Sequence, residues 1–289
     1  MSNSRDPRFH WDKRWPANHQ GFSLLELMVS MVVLFVVLGA AVKYITVATQ
    51  RSKVEQTKVD LAQQGREFVD EFERDIHQAG YPGCRMLNTG SNCSAHFSDS
   101  TMAVGLALVS NTQIIVEGDV DGDGAVDTVQ YQLLDSAGNF PPGGTCPCTI
   151  QRSQLPKVNG TAPLAQATNF SQELQNVANS GVPAAGQIYG NGLPLAGNTL
   201  FGNGSMTNTA YYAAVPTFKD FPVFSAYDQN GANVTLPADI STLTGQQTLA
   251  TIKSIRLTIN LLGSGTTGYD PKTGIRPSVT LVGNGRINN

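Results

Sequence analysis

A single carboxylate, Glu26, stands inside an otherwise uncharged run from Phe22 to Val42. Roughly 20 apolar residues at 1.5 Å rise span the hydrocarbon core of a bilayer, so the run is long enough to cross one. A charge at that depth costs about 2.5 to 3.5 kcal/mol on insertion scales, which means that Glu26 needs a partner or an interface. Lys43 and Tyr44 follow as interface markers. Ahead of the run, Arg5, Arg8, Lys13 and Arg14 outweigh Asp6 and Asp12. That positive excess keeps the N-terminus in the cytoplasm and sends the chain beyond residue 50 across the inner membrane, in a single pass, into the periplasm. No small-residue cleavage site of an ordinary secretory signal stands out between Val42 and Gln50; the alternative cut lies before the run, at Gly21-Phe22.

Gly21-Phe22-Ser23-Leu24-Leu25-Glu26 resembles the type IV prepilin cleavage and methylation motif. The resemblance implies that residues 1–21 are a leader peptide cut off by prepilin peptidase and that Phe22 becomes the N-methylated first mature residue. It also implies that Glu26 pairs with a subunit N-terminal amine during filament assembly, and a paired buried charge costs far less than an isolated one. A plain signal anchor, with Glu26 snorkelling to the interface, would explain the carboxylate but neither the Gly-Phe step nor the short polar leader.

The apolar run passes without a break into an amphipathic pattern. Val54, Leu61, Gly65, Phe68, Phe72, Ile76 and Ala79 recur at spacings of 7, 4, 3, 4, 4 and 3, which places them on one helix face. Charged residues such as Arg51, Glu55, Arg66, Asp70 and Arg74 fill the remainder. One helix from Phe22 to Ala79 would extend about 87 Å at 1.5 Å per residue. Residues 22–49 would be its transmembrane or filament-core half, and residues 50–80 the half packed on a globular domain, 81–289. Gly80-Tyr81-Pro82-Gly83 stops it. The stretch from Phe72 to Cys84 is similar to the helix end of PilW-type minor pilins, where a charged helix runs into an Ala-Gly-Tyr/Phe-x-Gly-Cys turn. The expected fold class is α+β: a long N-terminal helix laid on an antiparallel sheet. With 29 Gly, 15 Pro and 14% charged residues, the composition calls for sheet and long loops and not a helical bundle.

Residues 113–117 and 127–133 read as strands, and between them Asp119, Asp121, Asp123 and Asp127 match the first, third, fifth and ninth positions of an EF-hand loop. Gly124 takes the sharp-turn position, and the Ala125 carbonyl could serve as the seventh ligand. Ca²⁺ seeks several oxygens at about 2.3 to 2.6 Å, which alternate aspartates on a curling loop deliver from one side. Gln130 stands where an EF-hand has its bidentate glutamate, and strands replace the flanking helices, so weaker binding is expected. An Asp-Gly hairpin turn uses the same residue types, but not so many carboxylates. Hairpins of this kind recur in PilW-like sequences.

Four cysteines beyond the membrane segment fit an oxidising compartment. Cys84 and Cys93 could close a short loop after the helix; Cys146 and Cys148 flank one proline, too tight for a comfortable bridge. The alternative pairings stay open, and zinc is disfavoured because no Cys-x-x-Cys pair is present. Residues 156–247 are rich in Asn, Gly, Ser, Thr, Ala and Pro and read as a surface insertion, anchored by strands at 211–215 and 221–224. Residues 252–261 alternate as a half-buried strand should, and 279–282 make a last one.

Removing residues 1–21 takes +2 from a net charge of −3, so a basic nucleic-acid-binding balance is absent. Beyond the leader histidines, His10 and His19, a catalytic constellation would have to use His77 or His96, and neither accompanies a nucleophile motif. The expectation is therefore not an enzyme but a minor pilin that helps initiate a type IV pilus at or near its tip. Its partners would be other minor pilins, the major pilin and prepilin peptidase. A J-class pseudopilin of a type II secretion system and an adhesive surface protein working through residues 156–247 are the alternatives.

Overall fold

The computed structural model describes residues 23–83, 96–135, 137–140, 148–179, 222–263 and 277–287. The chain forms two compact units, Met1–Thr49 and Gln50–Asn289. Helix α1, Leu24–Gln78, begins in the first and ends in the second. In the first unit every described side chain up to Thr46 is exposed, including Leu24, Phe35 and Val36 at 77%, 69% and 67%. Such a surface is suited to lipid or to other apolar helices.

The second unit is an antiparallel sheet with the later half of α1 across it. Its strands are β1 Leu106–Val109, β2 Gln113–Gly118, β3 Asp127–Leu134, β4 Cys148–Pro156, β5 Ser171–Val177, β6 Phe224–Tyr227, β7 Ala238–Asp239, β8 Ser254–Leu262 and β9 Ser278–Arg286; a second helix, α2, spans Leu243–Thr251. The order is β6-β8-β5-β4-β3-β2-β1-β7, with β9 paired to β8. The α+β expectation holds.

The face that α1 buries carries the predicted Val54, Leu61, Gly65, Phe68, Phe72 and Ile76, and also Asp75. Phe68 and Phe72 meet the Tyr131 ring edge-on at centroid distances of 5.8 and 5.4 Å, and Phe72 stacks on Phe224 at 5.7 Å. Each such fully buried side chain contributes about 1.5 to 3 kcal/mol relative to exposure. Gly80, at φ 86°, ends the helix in the left-handed region that suits glycine, and its N–H donates to the Glu117 carbonyl at 2.8 Å. Gly118 lies so close that a Cβ there would fall 2.3 Å from the Gln78 carbonyl oxygen. Asp119 N–H donates to the Tyr81 carbonyl at 2.8 Å, so the start of the β2–β3 turn is sewn to the end of the helix.

The stretch 156–247 contributes sheet strands as well as loop. β5 joins the sheet between β4 and β8, and β6, β7 and most of α2 also fall within it. Residues 180–221, with the expected strand at 211–215, lie outside the described residues.

Candidate functional site

Glu26 sits in the first turn of α1, exposed, with no apolar neighbour burying it. The helix starts with Leu27 N–H donating to the Ser23 carbonyl at 3.1 Å, and the Ser30 hydroxyl donates to the Glu26 carbonyl at 2.7 Å. By length and composition α1 can cross a membrane. Gly21 and Phe22 lie outside the described residues.

The second candidate is the β2–β3 turn. Asp119 closes it from inside: Oδ1 accepts from Gly122 N–H at 2.8 Å and Oδ2 from Gly124 N–H at 3.1 Å. Those glycines hold φ of +78° and +89°, a conformation that side chains resist. Asp121 accepts from Asp123 N–H at 3.2 Å, and Asp123 from Ala125 N–H at 2.7 Å. Asp119, Asp121 and Asp123 each bring one carboxylate oxygen within 4.8 Å of the others. Asp127 is 4% exposed and accepts from Gln154 Nε2 at 2.8 Å. Burial raises its pKa, the Gln154 bond opposes that, and Asp121, Asp123 and Asp119 raise it further. The all-oxygen donor set fits a hard cation, although the turn's own amides already close it. Gln130 does not join the set. It lies midway along β3, paired with Ile115 and Ser153, and a position three residues beyond Asp127 falls on the opposite face of the strand.

Cys148 opens β4, fully buried and disulfide-bonded. Cys84, Cys93 and Cys146 lie outside the described residues. His77 and His96 line a cavity of about 970 Å³ with Tyr81, Phe97, Met102 and Lys253; no serine, threonine or cysteine is among its described lining residues.

Two buried ionic groups fix the fold around these features, and neither lies in an apolar pattern. Asp75 is fully buried; its Oδ2 accepts from Tyr131 Oη at 2.6 Å and Arg152 Nε at 2.9 Å, and pairs with Arg152 Nη2 at 2.8 Å. Glu71 stands 3.4 Å from Arg152 Nε. Arg152 Nη2 donates to Gln154 at 2.8 Å, and Gln154 reaches Asp127, which connects the helix to the acidic turn. Burial pushes the Tyr131 hydroxyl well above its ordinary pKa, and the neighbouring Asp75 adds to the shift. On the other face of the sheet, Lys157 Nζ and Glu117 Oε2 pair at 2.7 Å with both side chains fully buried. Lys157 also donates to the Met102 carbonyl at 2.9 Å. A charge at position 75 of a helix, an arginine mid-strand at 152 and a tyrosine opposite were the available signals.

Residues 16–42 match the family model described as the prokaryotic N-terminal methylation motif. No curated protein and no solved structure matches the chain. The matched segment opens the long apolar helix that leads into the antiparallel sheet domain, and it supports a type IV pilin-like or pseudopilin-type protein processed by prepilin peptidase.

Proposed function

We propose that the chain is a minor pilin of a type IV pilus, similar to the PilW kind, which takes part in initiating fibre assembly at or near the tip. The observation that carries this reading is the methylation motif joined to an exposed apolar helix with one carboxylate, Glu26, in its first turn. Before assembly the helix from Leu24 anchors the chain once in the inner membrane, with the domain from Gln50 in the periplasm. In the fibre, the same apolar surface packs against the helices of neighbouring pilins. Glu26 then pairs with an N-terminal amine, its own Phe22 or a neighbour's. The Asp119 to Asp123 turn takes Ca²⁺ as a structural ion, with Asp127 beside it. The chain's work is assembly and not chemistry.

Glu26→Ala tests the pairing. The variant should be cleaved normally yet be lost from sheared fibres; wild-type incorporation of cleaved Glu26→Ala would contradict the role. A chain found in the secretion apparatus and not in pili would instead identify a J-class pseudopilin.

A further inference from the structure

The hydrogen-bond phase of the β8–β9 ladder leaves one edge of the sheet open. At one end Gly263 N–H donates to the Pro277 carbonyl at 2.7 Å, and at the other Ile287 N–H donates to the Lys253 carbonyl at 3.1 Å. The intervening register runs from Leu262 opposite Ser278 to Ser254 opposite Arg286. Antiparallel pairs alternate between bonded and non-bonded, so the odd-numbered residues of β9 bond to β8 and the even-numbered ones direct N–H and C=O outward. Thr258 N–H, which donates to the Val223 carbonyl at 2.8 Å on the far side of β8, obeys the same phase. Of the outward groups, Asn284 N–H is capped by Glu73 Oε1 at 2.7 Å. Among the described residues nothing answers the outward main-chain groups of Ser278, Thr280 and Val282.

Natural sheets blunt such an edge with charge, proline or a bulge. Here Ser278 to Gly285 contains no charged residue and no proline, and the ladder runs without a register shift. Thr280 and Val282 are exposed, Val282 at 52%. A row of alternating outward donors and acceptors is complementary to one kind of ligand, another extended main chain.

We infer that the outer edge of β9, from Ser278 to Val282, is where an extended strand of a different subunit adds to the sheet. The inference rests on the pilin reading above. A second copy of this chain does not suit the edge. Gly263 lies against Thr57, Gly65 against Leu281, Gly283 against Val69 and Gly285 against Ile76, so the docked half of α1 runs in the same direction as β9. Antiparallel self-pairing would point the two docked halves oppositely and put the two Gln50 ends, each continuing into an apolar anchor, on opposite sides. Parallel self-pairing about a two-fold axis along the strand would set Thr280 level with Thr280. A parallel ladder needs an inward residue level with an outward one. The occupant is therefore an extended segment of another fibre subunit, without proline at the paired positions.

Hydrogen exchange on the full-length chain tests this, first in detergent micelles and then in isolated fibres. The Thr280 and Val282 amides should exchange freely in micelles and at least tenfold more slowly in fibres, whereas the capped Asn284 amide should be slow in both. Val282→Pro removes an outward N–H that β8 does not use, and Val282→Lys adds an edge charge. Both should melt like the wild type in micelles and lose protection at Thr280 in fibres. Equal exchange in micelles and fibres, with the chain present in the fibre, would overturn the edge inference and leave the pilin reading standing. So would a photo-crosslink from position 282 that lands on a second copy of this chain. A chain absent from fibres altogether would overturn both.

Discussion

Arg152→Met should be among the most damaging single changes in the sheet domain. The guanidinium supplies both charged contacts to Asp75 Oδ2, at 2.9 and 2.8 Å, and Asp75 is fully buried. Without it the carboxylate keeps the Tyr131 hydroxyl and, as its one cation among the described residues, the largely exposed Arg74, whose Nε stands 3.9 Å from Oδ1 and is screened by water; Glu71 loses a neighbour at 3.4 Å. Breaking a buried pair by removing one partner costs about 3 to 5 kcal/mol, because the remaining charge is stranded away from water. All members of the core cluster lie between Leu61 and Ile287, so a soluble fragment beginning at Gln50 retains the core. For a unit of this size about 1 kcal/mol lowers Tm by roughly 2 to 4 °C, and Arg152→Met should therefore lower it by about 6 to 20 °C. Urea unfolding at constant m gives the free energy directly. Asp75→Leu in the same background removes the stranded charge and should restore most of the loss, as replacement of buried ion pairs by apolar side chains does elsewhere. An Arg152→Met cost under about 1 kcal/mol, or a double variant whose cost is the sum of the singles, would show that Asp75 is not stranded by the loss of Arg152.

Burial raises the carboxyls of Glu71, Glu117 and Asp127 above their ordinary values of 4.5, 4.5 and 3.8. A raised carboxyl binds more protons folded than unfolded, so its contribution is complete below the unfolded value and is lost as pH rises through the folded one. In the presence of a chelator the fragment should melt higher at about pH 5 than at about pH 7.5; a steady fall on acidification over that window would contradict these shifts. Calcium should raise Tm at neutral pH and Asp121→Ala should abolish the gain, whereas no gain in the wild type would show that the turn holds no calcium.

Much of the fold was legible because most of it repeats. The helix face from Val54 to Ile76 and the strands 127–133 and 252–261 follow periods of 3.6 or 2, strand 113–117 shows instead as a short apolar run, and each lies close to its expected place. What periodicity cannot register is a buried charge. Asp75 and Arg152 are interior because they meet each other and Tyr131, a fact of topology across 77 positions. β9 reads as Val279 to Val282 in sequence but extends from Ser278 to Arg286, since Val69, Glu73 and Ile76 of the helix fill the space over Gly283 and Gly285. β5 is hard to see because only Leu174 and Val177 of Ser-Gln-Glu-Leu-Gln-Asn-Val are buried. α2 was not expected; it starts at Thr242, whose hydroxyl oxygen accepts from Gly245 N–H at 3.0 Å as an N-cap. The acidic turn was read correctly as a turn between strands. Its twelfth position was not, because a strand carries Gln130 away to the opposite face where a helix would have returned it to the loop.

Processing at Gly21-Phe22 and entry of the helix that opens there into a fibre leave a chemical mark on the mature N-terminus. Mass spectrometry of the N-terminal peptide from purified fibres tests it most directly. The chain in fibres should begin at Phe22 with its amine methylated; fibre-associated protein that still carries residues 1–21 would contradict both processing and fibre entry.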